Sequence, residues 1–430
     1  MRWTLHDALA GSSVQVVSGS LDVSINGAAV DSRKDVTGRL FVGLSGESED
    51  GGRYAVEALE SGAAAAIVSA TAWRQIAAAV AGTGWTVVTA DDPLTVLQAA
   101  GTAAVRRSGA TVIAITGSVG KTTTKDILVG MLAASGTRVS GTPGNQNTEI
   151  GVPLAMLELD AGTEVAVVEM GMRGAGQIAE LVHLVAPHVV CITSIAPVHL
   201  EILGTIEAIA QAKAEILCDL GPGDIAVVPR DEPLLDPFLG ALGVGVEVRR
   251  FDDLPDGVAI NLTKTWQRTN AAAAWQCCLA IGRAPRLGDP IVVELSAMRG
   301  QERPLVGGGV LIEDCYNANP VAMRAALRDL STRDGRRIAV LGDMMELGPD
   351  EAQFHRQIGE YVAELGIDLL VGIGPRSMQY LEGAAGVESV HFPDAAAAAP
   401  AVPGLLVPGD TVLVKASRSV ALERVCEVLN

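Results

Sequence analysis

The ten residues TGSVGKTTTK, Thr116 to Lys125, follow directly on a β-branched apolar run, ATVIAIT (110–116). A buried strand, a glycine turn and then a helix open a parallel α/β unit, which constrains the middle of the chain to one fold class. Gly117 and Gly120 permit tight turns in which successive backbone N–H groups converge on phosphate oxygens. Lys121 supplies a point charge for the β- and γ-phosphates, and the Thr122 hydroxyl can hold Mg²⁺. Ser118, Val119 and Thr123 complete the loop. The longer Walker pattern asks for glycine six residues before the lysine, where Ile115 stands, so this is the shorter GxxGKT form. ATP or GTP binding is the expectation.

Further buried-strand runs follow at EVAVVEM (164–170), HVVCITS (188–194) and DIAVVP (224–229), separated by helical or Gly/Pro-containing stretches. That alternation predicts a parallel sheet covered on both faces by helices. A second alternation, GVLIEDCY, RRIAVLGD, DLLVGIG and DTVLVKAS, predicts a separate α/β domain. Its boundary near MRGQERP carries Gly, Pro and charge as linkers do. A chain of 430 residues exceeds what one core usually supports. Three α/β domains are expected: residues 1–107, a central parallel-sheet domain over 108–298, and a Rossmann-like domain over 299–430.

Thirty-two basic against 50 acidic residues give a formal charge of −18, which argues against a nucleic-acid partner, since phosphate backbones are repelled. No apolar run reaches the roughly 20 residues a membrane span needs, and Asp7 interrupts any leader-like start. The six cysteines contain no CxxC pair and read as reduced thiols, with neither a disulfide framework nor a zinc site. A cytoplasmic location without membrane insertion is the expectation.

A triphosphate site needs metal ligands at the C-terminal ends of neighbouring strands. Glu169 ends EVAVVEM and is placed to hold a cation; an acid at a strand end is otherwise a solvated cap. His199, in SIAPVHLEILGT, follows another strand of the same sheet, although a lone histidine is more often structural. Lys213, in IEAIAQAKAEI, continues the helix face of Ile206, Ile209 and Ala210, where a lysine either serves a site or snorkels outward. Composition and spacing leave both readings open.

The string of motifs resembles the Mur ligase family, the ATP-dependent amide-forming enzymes of peptidoglycan assembly. It comprises DSR (31–33), TGSVGKTTTK, GNQNTEIGVPL, VVEMG, HLEILGTIEAIAQAKAEI, DCYNANPVAMRAAL, GDMMELG and KASRS. The resemblance implies that Gly117 to Thr123 cradle ATP, with Lys121 and Thr122 on its phosphates. It implies two Mg²⁺ positions served by Thr122, Glu169, His199 and Lys213, the lysine carrying a CO₂-derived carbamate. Asn270 in QRTNAAAA would lie on the adenine side, and Arg299 and Asp314 would reach the γ-phosphate and ribose when the domains close. Lys121, Lys213, His199 and Arg299 are thereby the implied catalytic residues. Ser32 and Arg33 would bind a UDP-sugar, making residues 1–107 a UDP-substrate domain. Asn145, Asn147, Thr148, Asn317, Asn319, Lys415, Ser417 and Arg418 would face the sugar-peptide and amine substrates.

The family pattern is broken at Gly52, Thr148, Thr269 and Ala416, where His, Asn, His and Gly are usual, and the stretch between Asp224 and Asn270 is short. The implied reaction joins D-alanyl-D-alanine to a UDP-N-acetylmuramoyl-tripeptide through an acyl phosphate, and the implied assembly is a monomer. A ligase for another carboxylate and amine, or a non-catalytic nucleotide-binding homologue, are the competing readings. GIGPRSM (372–378) matches a dinucleotide fingerprint only at Gly372 and Gly374.

Overall fold

The computed structural model describes residues 3–46, 49–262 and 264–429. The strand read at 110–116 is Thr111–Thr116, and Val112, Ile113, Ala114 and Ile115 in it are sealed from water. Both of its faces are covered, so an unbroken β-branched run rather than an alternating one is what the position requires. Five parallel strands flank it in one six-stranded sheet. The order is Glu247–Phe251, Ile225–Pro229, Val189–Ile192, Thr111–Thr116, Val165–Glu169, Val139–Gly141. The loop-bearing strand is therefore interior, with Val165 paired to Thr111 on one side and Val189 to Ile113 on the other. Chain order reverses at this strand, which opens a crevice beyond the C-terminal ends.

Ahead of it lies a five-stranded sheet, Gln15–Ser18, Thr86–Ala90, Ala65–Ser69, Leu40–Val42, Ala28–Ala29, parallel except at Gln15–Ser18. Helix Pro93–Ser108 joins the two units. Asp92 caps its start and Gly109, at φ 65, ends it. A Cβ on Gly101 would stand 2.8 Å from Pro153 Cα, so glycine lets this helix lie against helix Gly151–Leu157. Leu97, Ala100 and Ala104 consequently share one apolar core with Val152, Ala155 and Met156.

The last unit is a second six-stranded sheet: Gln301–Pro304, Val310–Glu313, Thr411–Lys415, Arg337–Gly342, Leu369–Ile373, Glu388–Phe392. It is parallel except for the first pair, and separate apolar clusters cover its two faces. Here the linker reading of MRGQERP fails in part. Gln301–Pro304 is an edge strand antiparallel to Val310–Glu313. Charge and proline are tolerated there because one side of an edge strand needs no ladder bonds. Only Met298 to Gly300 behave as a turn, with Met298 at φ 59 and Gly300 at φ 82. Lys264 Nζ donates to Gly300 O at 2.8 Å and Ser296 N to Asp126 Oδ2 at 2.7 Å, tying this turn to the central unit.

Among the described residues no helix is long and apolar enough to cross a membrane. Cys218 is partly exposed, and the other five thiols are buried and free.

Candidate active site

The phosphate loop is shaped by the segment that follows strand Val189–Ile192. Ser118 N donates to Ser194 O at 2.9 Å and Val119 N to Ser194 Oγ at 3.0 Å, while Thr193 Oγ1 donates to Val119 O at 2.6 Å. Ser118 Oγ is also held, donating to Ala196 O and accepting from Ala196 N. Ser118 and Val119 therefore brace the loop from behind. Gly117 and Gly120 are indispensable for space as well as for their φ of 143 and 87: an added Cβ would lie 2.0 Å from Thr193 Oγ1 and 2.4 Å from Asn270 Oδ1. Asn270 thus packs its carboxamide on the loop itself.

Lys121, first residue of helix Lys121–Ala134, folds its Nζ back to Gly117 O at 2.7 Å. Burial draws its ammonium below the usual lysine range, with Glu169 opposing that shift and Arg299 adding to it. Lys213 is fully buried near the end of helix Ile206–Ala214, alongside Ile209 and Ala210. It does not snorkel. Desolvation first, and the Lys121 charge second, push its pKa well down. Glu169 is 2% exposed; Asn147 Nδ2 donates to its Oε1 at 2.8 Å, and its Oε2 has no hydrogen-bond partner among the described residues. A buried carboxylate oxygen left unmatched is costly unless a ligand completes it. That orphan, with the Thr122 hydroxyl and an amine poised to be neutral, fits a divalent cation.

The C-terminal unit reaches into this cluster. Arg299 Nη2 donates to Thr122 Oγ1 at 3.1 Å, and its guanidinium lies 3.9 Å over the Tyr316 ring. Tyr316 is half-buried beneath that guanidinium, and burial raises its phenol. His199, at φ 55, has Nδ1 2.5 Å from Glu346 Oε2 of GDMMELG. Lys121, Thr122, Glu169, Lys213, Arg299 and Asn147 are thus brought together, with His199 linked across the same domain boundary.

Other candidates are committed elsewhere. Lys415 Nζ is buried on Asp314 Oδ2 (2.7 Å) and Asn317 O (3.0 Å). Ser417 Oγ accepts from Met345 N at 3.0 Å, and Arg418 pairs with Glu423. Asn319 caps helix Pro320–Ser331 by accepting from Ala322 N; Asn317 Oδ1 accepts from Ala318 N, and Thr148 Oγ1 from Gly151 N. Thr123 is buried beneath the loop. Ser32 and Arg33 bond Glu57 and Asp31 within the first unit, and the Arg33 side chain is 83% exposed.

Sequence reasoning assigned nothing to three residues that shape the site: Glu346, Ser194 and Lys125. Lys125 is buried, donating to Thr142 O at 2.8 Å and so anchoring the GTPGN segment beside Glu169. Its signal was its place in TTTK, four residues beyond Lys121 on the same helix.

A phosphate loop on an interior parallel strand, a buried lysine–glutamate cluster and an arginine delivered by a further α/β unit define an ATP-dependent ligase of the Mur type. Residues 115–254 match the Mur ligase middle domain and residues 298–418 the Mur ligase glutamate ligase domain. The chain belongs to the Mur ligase family. Among its relatives is the UDP-N-acetylmuramoyl-tripeptide–D-alanyl-D-alanine ligase of Synechocystis sp., 35% identical over 97% of this chain and 94% of that protein. The Bacillus subtilis ligase of the same name is 32% identical over 94% and 93%. A MurF structure from Acinetobacter baumannii superposes with a TM-score of 0.85 at 26% identity, covering 100% and 99% of the two chains. The Thermotoga maritima MurF in complex with ADP gives 0.78 at 27% identity, covering 94% and 97%.

Proposed function

We propose that this chain joins D-alanyl-D-alanine to UDP-N-acetylmuramoyl-tripeptide at the expense of ATP. The observation that carries the chemistry is Arg299 on Thr122: a cation from the C-terminal unit stands on the phosphate loop, beside Lys121 and the buried Glu169 and Lys213. The choice of substrates rests on the names of the near-full-length relatives.

The acceptor carboxylate attacks the γ-phosphorus, giving an acyl phosphate and ADP. The amine of the dipeptide then attacks the acyl carbon, and phosphate leaves. The first step brings two anions together, and Lys121 and Arg299 offset that repulsion and the charge that spreads over the phosphoryl oxygens. Mg²⁺ held by Thr122, Glu169 and His199 would supply further neutralisation. Lys213 would complete that set as a carbamate: its neutral amine attacks CO₂ and sheds one proton. Burial supports this, because it keeps the amine's lone pair free. Arg299 on Thr122 draws the units together, which would exclude water from the acyl phosphate. Ser32 and Arg33, on a separate exposed surface, are suited to the nucleotide end of the acceptor. We take residues 1–107, 108–298 and 299–430 as units for acceptor, ATP and amine, and a monomer as the working assembly.

Purified chain with ATP, Mg²⁺, the nucleotide tripeptide and D-alanyl-D-alanine is expected to form the pentapeptide, read by mass spectrometry. Phosphate release without that product overturns the substrate assignment.

A further inference from the structure

A second cluster of metal-ligating groups sits near the N-terminal ends of interior strands of the central sheet, the end opposite the phosphate loop. His183 lies in the last turn of helix Gln177–Val185, and Cys218 and Asp219 follow the turn Glu215–Leu217. His183 Nε2 stands 3.0 Å from Asp219 Oδ2, and one ligand atom from each of the three residues lies within 4.8 Å of the others. A cavity of about 330 Å³ opens beside them, also lined by His188 and Asp224. These two residues immediately precede strands Val189–Ile192 and Ile225–Pro229, whereas the phosphate loop leaves the C-terminal end of Thr111–Thr116. The cluster is therefore separate from the nucleotide site.

We propose that His183, Cys218 and Asp219 form a zinc-class metal site. Imidazole, thiol and carboxylate make a mixed N, S, O set, which suits zinc and disfavours the oxygen-seeking Mg²⁺ and Ca²⁺. Three protein ligands leave a fourth position for water from the cavity. Binding forms one metal–sulfur bond and releases the Cys218 proton to solvent, while the ion takes up His183 and Asp219 in place of their mutual contact. That contact is a bridge between side chains 60% and 61% exposed, which contributes little by itself and gives no reason for the thiol beside it.

The position gives the ion a structural task. Glu215 already accepts from Gly176 N at 2.6 Å and Ile178 N at 3.2 Å, clasping the start of helix Gln177–Val185. An ion at the far end of that helix would clasp it to the same turn and so steady the segment that carries Lys213. Sequence spacing hides such a site, since its ligands come from two distant segments in no repeating pattern.

The test is a Co²⁺ titration of chelator-stripped full-length protein in Mg²⁺-free buffer. A thiolate-to-cobalt charge-transfer band saturating at one equivalent is expected, lost in Cys218→Ser and displaced by Zn²⁺. His183→Asn keeps the thiol and is expected to weaken Co²⁺ binding by about tenfold or more, at the least the scale of losing a supporting group. Zn²⁺ is expected to raise the thermal midpoint of the wild type but of neither variant, and both variants are expected to turn over ATP with Mg²⁺ as the wild type does. A wild-type titration without a thiolate band overturns the proposal, as does a band that survives in Cys218→Ser or an affinity unchanged in His183→Asn.

Discussion

A lysine sealed from water and set near a second lysine has two reasons to shed its proton, and Lys213 has both. The same burial that would make it a poor structural cation favours the neutral amine that the proposed carbamate requires. Lys213→Ala is expected to lower kcat by about 10²-fold or more, the scale of removing one well-placed electrostatic group, while leaving the fold intact. Short carboxylic acids are expected to restore part of the rate by occupying the vacated space. Full activity in Lys213→Ala without such rescue would remove the carbamate from the mechanism. At the same scale, Asn147 aligns one carboxylate oxygen of Glu169 and leaves the other without a hydrogen-bond partner among the described residues.

At the scale of elements, helix Glu351–Glu364 sets the loop that meets the site. His355 is buried in it, accepting from Met344 N at Nε2 (3.0 Å) and donating from Nδ1 to Glu351 O (2.7 Å). Met344 belongs to GDMMELG, so His355 fixes the loop that carries Glu346 to His199. Desolvation lowers the His355 pKa below 6.5. The native state then binds fewer protons than the unfolded chain at acid pH. The contribution of His355 to stability is full above about pH 6.5 and is lost as pH falls below it. His355→Gln, which keeps an acceptor for Met344 N, is expected to flatten that acid-side decline in denaturant midpoints.

Interior strands were legible because burial on both faces demands long apolar runs: 111–116, 165–169, 189–192 and 225–229 lie where those runs stood. Edge strands were not. EVRRF (247–251), QERP (301–304) and ESVHF (388–392) carry charges or proline that an exposed flank accepts, and they imitate loops. Within the site, motif residues such as Lys121, Glu169 and Lys213 were legible from the phosphate loop outward. Glu346 was not, because its contact with His199 spans 147 positions and depends on the packing of two domains.

At the scale of the molecule, one core runs through the first two units while the third keeps its own. Polar contacts fasten the third to the central unit, at Arg299 and Gly300 and where Glu346 meets His199. Lys264→Met would leave the Gly300 carbonyl without its donor, a loss of about 1–3 kcal/mol if unsatisfied. Calorimetry is expected to resolve the C-terminal unit as an earlier, separate transition in that variant. An unchanged single transition would show that the joint lies elsewhere.

The bonds from Ser118 and Val119 to Ser194 have a kinetic consequence. The ordering entropy of the phosphate loop is settled when the chain folds, so an arriving triphosphate meets a surface already formed and needs chiefly to draw Lys121 off Gly117 O. Nucleotide capture is then a single encounter, with an observed rate that climbs linearly with ATP concentration in stopped-flow. Ser194→Ala, which frees the Val119 amide, is expected to bend that line toward a plateau, as a loop that must first find its shape begins to limit the rate.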